Sequence, residues 1–161
     1  MRRPTAREIG LVLPALGLGH ETPAPGARVA SAGRPRLLVP IAARPALDAL
    51  VPDFDRLRAA CDELGLLGAY VHTPPTGEGH LAARLFAPSI GVPEDIANAN
   101  STACLAAHLA GHGVTEIAVD MGDALGAPST ITATARQDAV GPAVRVGGTA
   151  AVGRTVALPR T

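Results

Sequence analysis

Arg84-Leu85-Phe86-Ala87-Pro88-Ser89-Ile90-Gly91-Val92-Pro93-Glu94-Asp95-Ile96-Ala97-Asn98-Ala99-Asn100-Ser101-Thr102-Ala103 changes character three times within one short span. An apolar, strand-like start runs into Pro88 and Gly91, residues that punctuate extended structure. The acidic pair Glu94 and Asp95 follows. Small polar residues then open an Ala-rich helix, predicted over Asn100 to Gly111. The order strand, acid, helix start places a carboxylate beside the positive end of a helix. Unpaired N–H groups there can hold an anion while the acid handles a proton.

With Asn100 read as the helix cap, the N–H groups of Ser101, Thr102 and Ala103 point out of the helix end. Asp95 is then the candidate general acid/base, with Glu94 beside it, and Asn98, Ala99, Asn100 and Ser101 form the candidate cradle for a substrate carboxylate. The plain alternative is that both acids only cap a turn and interact with the helix dipole. Spacing alone favours the plain use, since acids before helices are common.

Working outward, the same chain predicts strands over Arg28 to Ser31, Arg36 to Ile41, Leu67 to Thr73, Gly79 to Phe86, Glu116 to Met121, Ser129 to Arg136 and Ala143 to Val152. Glu21 to Gly26 reads as a Pro-rich loop, and Pro45 to Leu50 as a helical turn. Asp53 to Leu64 reads as an amphipathic helix, because Phe54, Leu57, Cys61 and Leu64 share one face. Small side chains on the helix after Asn100 predict close enclosure by sheet. The fold class is therefore α+β: a strongly curved mixed sheet around one buried helix, with a second helix outside. No repeat or linker divides the chain, so residues 1–161 read as one domain, with 1–8 expected to be flexible.

Composition bounds the chemistry. All 14 basic residues are Arg, so a lysine Schiff base and a lysine-bearing phosphate loop are both excluded. These arginines are scattered, which gives no nucleic-acid stripe. The aromatic residues are only Phe54, Phe86 and Tyr70, so the core must be aliphatic. Two cysteines make no disulfide framework, and a reducing cytoplasm is the expected setting. No segment is long enough to span a membrane. Arg2-Arg3 before the apolar stretch Ile9 to Leu18 has the look of a secretory leader, but Glu8, Gly10, Pro14 and Gly17 argue against one.

Other constellations are weaker. Cys104, His108 and His112 lie four residues apart on one helix face, as metal ligands can, but their side chains fan out along the helix and no acid completes a set. No metal site is expected. Cys61 and Cys104 read as core residues, and His72 and His80 as exposed flanks of a hairpin loop.

The opening stretch resembles the PhzF-like (phenazine biosynthesis) isomerase family, whose signature runs Arg-x-Phe-x-Pro, Gly, then Glu-Asp-Pro-Ala-Thr-Gly-Ser-Ala into a helix. Gly33-Arg-Pro-Arg-Leu-Leu-Val-Pro-Ile41 is similar to the family's Gly-x-Pro-x-Leu-x-Val strand. Gly126-Ala-Pro-Ser129 is similar to its Gly-Arg-Pro-Ser segment, and Val144-Arg-Val-Gly-Gly-Thr-Ala150 to its closing Val-x-Val-Gly-Gly-x-Ala strand. The resemblance implies a diaminopimelate epimerase-like fold, with two similar domains in the family and the active cleft between them. This chain looks like the second domain only.

It further implies that Asp95 is the second-domain functional aspartate, that no cofactor is used, and that the substrate is a small carboxylate-bearing acid met in secondary-metabolism biosynthesis. The family's catalytic glutamate lies in the first domain and has no counterpart here. A partner wall is therefore expected, either a second copy of this chain in a two-fold dimer or a separately encoded first domain; neither nucleic acid nor membrane is expected as a partner. The cradle departs from the family pattern: Ile96 replaces Pro, Asn98 replaces Thr, Ala99 replaces Gly, Asn100 replaces Ser, Met121 replaces Gln and Ala127 replaces Arg. A Gly-to-Ala change matters wherever φ is positive. A non-catalytic binding subunit, or a natural-product cyclase using the same pocket for shape, are the competing expectations.

Overall fold

The structure is a computed structural model that describes residues 1–19, 25–139, 141–151 and 153. Eight strands form one curled sheet: β1 Arg28–Ala32, β2 Arg34–Pro40, β3 Ala69–His72, β4 His80–Ala87, β5 Val92–Asp95, β6 Glu116–Met121, β7 Ser129–Asp138 and β8 Gly141–Gly148. Four α-helices accompany them: α1 Ala6–Ala15, α2 Arg44–Asp48, α3 Phe54–Leu64 and α4 Ala99–Ala110. The spatial order is β1-β2-β3-β4-β6-β7-β8, with β5 hung on β4. The β2–β3 and β4–β6 pairs are parallel and the remaining pairs antiparallel, so the sheet is mixed as expected.

β4 is the axis of the molecule, and its sequence explains why. Leu81, Ala83 and Leu85 face α4, while Ala82 and Phe86 face the opposite layer. Alternate residues of a strand point to opposite faces, so a strand apolar on both faces must be covered on both. On one side, Val12, Leu13 and Leu16 of the first helix and its exit, with Leu57 and Cys61 of α3, pack on Leu37, Val39 and Val71. On the other, Cys104, Leu105 and Ala106 of α4 meet Leu38, Tyr70, Val119, Met121 and Ile131. The sheet thus wraps α4 and carries α1 and α3 outside.

α3 starts where Asp53 accepts the Arg56 N–H at 3.0 Å, and it stops at Gly65, whose φ of 65° only glycine adopts without strain. The tight β1–β2 turn needs Gly33 for the same reason, with φ at 95°.

α1 was not expected. Gly10 and Pro14 lower its intrinsic helix preference, but burial of Val12, Leu13 and Ala15 overrides that. Residues 1–8, expected to be flexible, make specific contacts with β1 and within the start of α1. The Arg2 N–H donates to the Val29 carbonyl at 3.0 Å, and Thr5 with Glu8 forms a reciprocal capping box. Arg2 also grips the buried Glu8 carboxylate with both terminal nitrogens.

The hydrogen bonds from Arg2, reinforced by the Thr5 N–H, pull the Glu8 carboxyl down to about 2. Its unfolded value is near 4.5, so the folded state binds fewer protons between these limits. The stability from this pair is therefore complete above pH ~4.5 and drains away as pH falls toward ~2. Allowing for the half-exposed Arg2, the loss is on the order of 2 kcal/mol. Glu8→Gln should flatten that acid limb, read by circular dichroism across the titration.

Several boundaries moved by a residue or two. β8 begins at Gly141 rather than Ala143, and the expected end at Val152 lies outside the described residues, as does most of the loop expected over Glu21 to Gly26. His72 is not exposed. It is 5% exposed on the α4 side of β3, its Nδ1 lies 3.0 Å from the Thr73 carbonyl, and burial pushes its pKa down to about 4. No described helix is long and apolar enough to cross a membrane.

Candidate functional site

β5 delivers the two acids. It pairs with one end of β4 through Leu85–Asp95 and Ala87–Val92, with a register shift between. Successive strand residues face opposite ways, so Glu94 and Asp95 diverge.

Glu94 turns into an ion pair. Arg84 Nε and Nη2 each reach one of its oxygens at 2.8 Å, and both side chains are almost fully buried. Arg84 Nη1 donates to the carbonyls of Leu47 and Leu50, both at 3.0 Å, and its guanidinium lies 4.9 Å over the Phe86 ring. Glu94, expected beside Asp95 at the mouth, thus faces Arg84 on the opposite side of β5.

Asp95 turns to the start of α4 and is half-buried. The cap of that helix is Asn98, two residues earlier than expected. Asn98 Oδ1 accepts the Ser101 N–H at 2.8 Å, and its backbone carbonyl accepts the Thr102 N–H. Ser101 and Thr102 are fully buried, so neither amide points out of the helix. The N–H groups that meet no partner among the described residues are those of Ala99 and Asn100, both exposed. Asp95 Oδ2 accepts from Asn98 Nδ2 at 3.0 Å, and Oδ1 meets no donor among the described residues.

Asp95, Asn98, Ala99 and Asn100 therefore come together at one mouth. Ser101 stands behind it, its hydroxyl accepting from Arg36 at 2.9 Å. Ala99 adopts a negative φ, since no described residue other than glycine has a positive one. The Gly-to-Ala change noted above thus causes no backbone strain at that position.

A second loop supports the mouth. Gly122, with φ at 78°, lets the backbone bend so closely that a Cβ would sit 2.2 Å from the Ala127 carbonyl and 3.1 Å from Ile96. The Ser129 hydroxyl donates to the Ile96 carbonyl at 3.2 Å.

On the Glu94 side of β5, Leu50, Phe54, Pro93 and Leu125 line, together with the Arg84–Glu94 pair, an open cleft of about 460 Å³. Val51 is 83% exposed, Ile96 46% and Leu125 44%. A larger cleft of about 590 Å³ lies elsewhere, by Arg3, Arg28 and His112.

Sequence reasoning missed Arg36, which packs behind the mouth. A charged residue inside an otherwise apolar strand was its signal. The Cys104, His108, His112 stripe is not a cluster. Cys104 is buried, and His112 is exposed with its Nδ1 3.1 Å from the His108 carbonyl.

A curled sheet around a helix, with a carboxylate at the helix mouth, is the architecture of an epimerase-like fold. Comparison with known proteins agrees. The family model described as "Phenazine biosynthesis-like protein" (PhzC-PhzF) matches residues 6–155. A Deinococcus radiodurans protein named "Uncharacterized isomerase" is 33% identical over 138 residues, covering 81% of this chain and 44% of that protein. The "Uncharacterized isomerase YddE" of Escherichia coli K12 is 30% identical over 105 residues, covering 64% and 35%.

Among solved structures, a "Predicted Epimerase" from Pseudomonas aeruginosa superposes with a TM-score of 0.67 at 28% identity, over 91% of this chain and 50% of that one. A PhzF-family protein of Bacillus anthracis gives 0.70 at 16% identity, over 90% and 52%, a likeness of fold. The chain belongs to the PhzC-PhzF family of phenazine biosynthesis-like proteins. It spans less than half the length of these two curated relatives.

Proposed function

We propose that this chain is one lobe of a cofactor-independent isomerase that shifts a proton beside the carboxylate of a small unsaturated or amino-bearing acid. The observation that carries this reading is the mouth of α4: one Asp95 oxygen without a donor, by the N–H groups of Ala99 and Asn100, which meet no partner among the described residues. The substrate carboxylate would dock on those two amides, where the helix dipole favours an anion. Asp95 would then take a proton from one carbon and return it to another, within hydrogen-bond reach of the held acid.

The opposite wall would come from a second lobe, either another copy of this chain or a different chain. The exposed apolar side chains of Val51, Ile96 and Leu125 support association with such a wall.

The test pairs size measurement with solvent exchange. Small unsaturated and amino carboxylic acids are incubated in deuterium oxide with the chain, alone or with a first-lobe protein. The expected result is an assembly larger than one lobe and deuterium uptake in the acids but not in their esters. A strict monomer that exchanges nothing under either condition removes the proposal and leaves the non-catalytic reading.

A further inference from the structure

Arg36 lies in β2 on the face that looks at α4, and only 2% of its surface is exposed. Its Nη1 donates to Ser101 Oγ at 2.9 Å and to Asn98 Oδ1 at 3.3 Å. Its Nη2 donates to the carbonyls of Arg34 at 2.9 Å and Ala32 at 3.4 Å. Its Nε is buried and meets no acceptor among the described residues. No carboxylate pairs with it among the described residues. A guanidinium keeps its charge in proteins, and a buried cation without a counter-ion is costly. A plain apolar residue on β2 would serve packing better, so the charge has to act on something nearby.

What it acts on is the Asn98 amide. That group has an accepting end and a donating end. Two donors converge on Oδ1, the Ser101 N–H and Arg36 Nη1, which leaves Nδ2 facing the Asp95 carboxylate. The reversed amide would set N–H₂ against a guanidinium and an N–H, and its oxygen against a carboxylate. Every contact would then be repulsive.

We infer that Arg36 is a positioning residue: it locks the Asn98 side chain in the orientation that holds Asp95 at the mouth of α4. This inference rests on Asp95 being the acid/base of the proposed function. Arg36 itself stands behind the cap and does not touch the docking amides. It acts through one intermediate side chain.

The experiment first uses nuclear magnetic resonance on the whole chain with no substrate, so its outcome is independent of whether Asp95 proves catalytic. The Asn98 side-chain N–H₂ signals are assigned by their disappearance in Asn98→Asp. In Arg36→Met they should move toward free-amide positions and exchange with solvent about tenfold faster. Unchanged signals in a folded Arg36→Met chain would overturn the inference.

Should Arg36→Met not fold, Asn98→Asp decides. It keeps an acceptor for Ser101 and pairs with Arg36, but it has no N–H₂, so the Asp95 side-chain carbon signal should shift. An unmoved signal would overturn the inference as well. In the exchange assay, Arg36→Met should lower kcat about 10- to 100-fold with KM held within about twofold. A raised KM with unchanged kcat would mark Arg36 as part of the anion site and overturn its positioning role.

Discussion

Glu94→Ala should lower the free energy of unfolding by about 3–5 kcal/mol. The cause is the partner it abandons. Arg84 keeps both terminal nitrogens and Nε bonded, to Glu94 and to the Leu47 and Leu50 carbonyls, inside a site where its side chain is 11% exposed. With Glu94 gone, two of its three donor positions face no acceptor and the charge stays buried. The pair also ties three segments together: β4, β5 and α2 with the turn that follows it. Loosening β5 would let Asp95 drift.

Denaturant unfolding measures the loss directly. The double variant Arg84→Met, Glu94→Leu should recover most of it, because removing both charges together leaves neither uncompensated. A loss below about 1 kcal/mol for Glu94→Ala would mean that water reaches Arg84 and that the pair behaves as a surface one.

Asp95→Asn should lower the proton-shift rate by about 10²- to 10⁴-fold while changing stability by less than about 1 kcal/mol. The substitution keeps size and shape, and its amide oxygen can still accept from Asn98 Nδ2. What it loses is the ability to take up and release a proton. Deuterium uptake by the substrate acid measures the first effect and thermal melting the second. An Asn variant that exchanges as fast as the parent chain would take Asp95 out of the reaction, and a variant that melts early would show that its carboxylate serves the fold.

Much of this architecture was legible because local pattern and tertiary demand agreed. β6 runs Glu116–Met121, the bounds read from the sequence, and α3 follows its apolar face from the Asp53 cap. The site was legible to a coarser degree. Asn98 and Asn100 are equally good caps on local chemistry, so choosing between them needed the position of Arg36, which is 62 residues away from Asn98 in sequence.

The divergence of Glu94 and Asp95 follows from strand geometry, but only once β5 is known to be a strand. Its four residues include a proline, which hides it. α1 was hidden by Gly10 and Pro14, although the Thr5 to Glu8 capping signature was there to be read. His72 sat next to the Pro74-Pro75 turn, and that proximity suggested exposure. Its strand register with Pro40 puts it under cover instead.

β5 is joined to β4 along its edge and to α4 through a three-residue step ending in the Asn98 cap. Anchored at both ends, the acid has a fixed address. Of the residues just downstream, Asn98 belongs with the acid it holds, while Ile96, Ala97, Ala99 and Asn100 make no side-chain hydrogen bond to Asp95 and form the doorway rather than the foundation. Within such a scaffold, a lineage is free to try new guests by redecorating the threshold and leaving the hearth untouched.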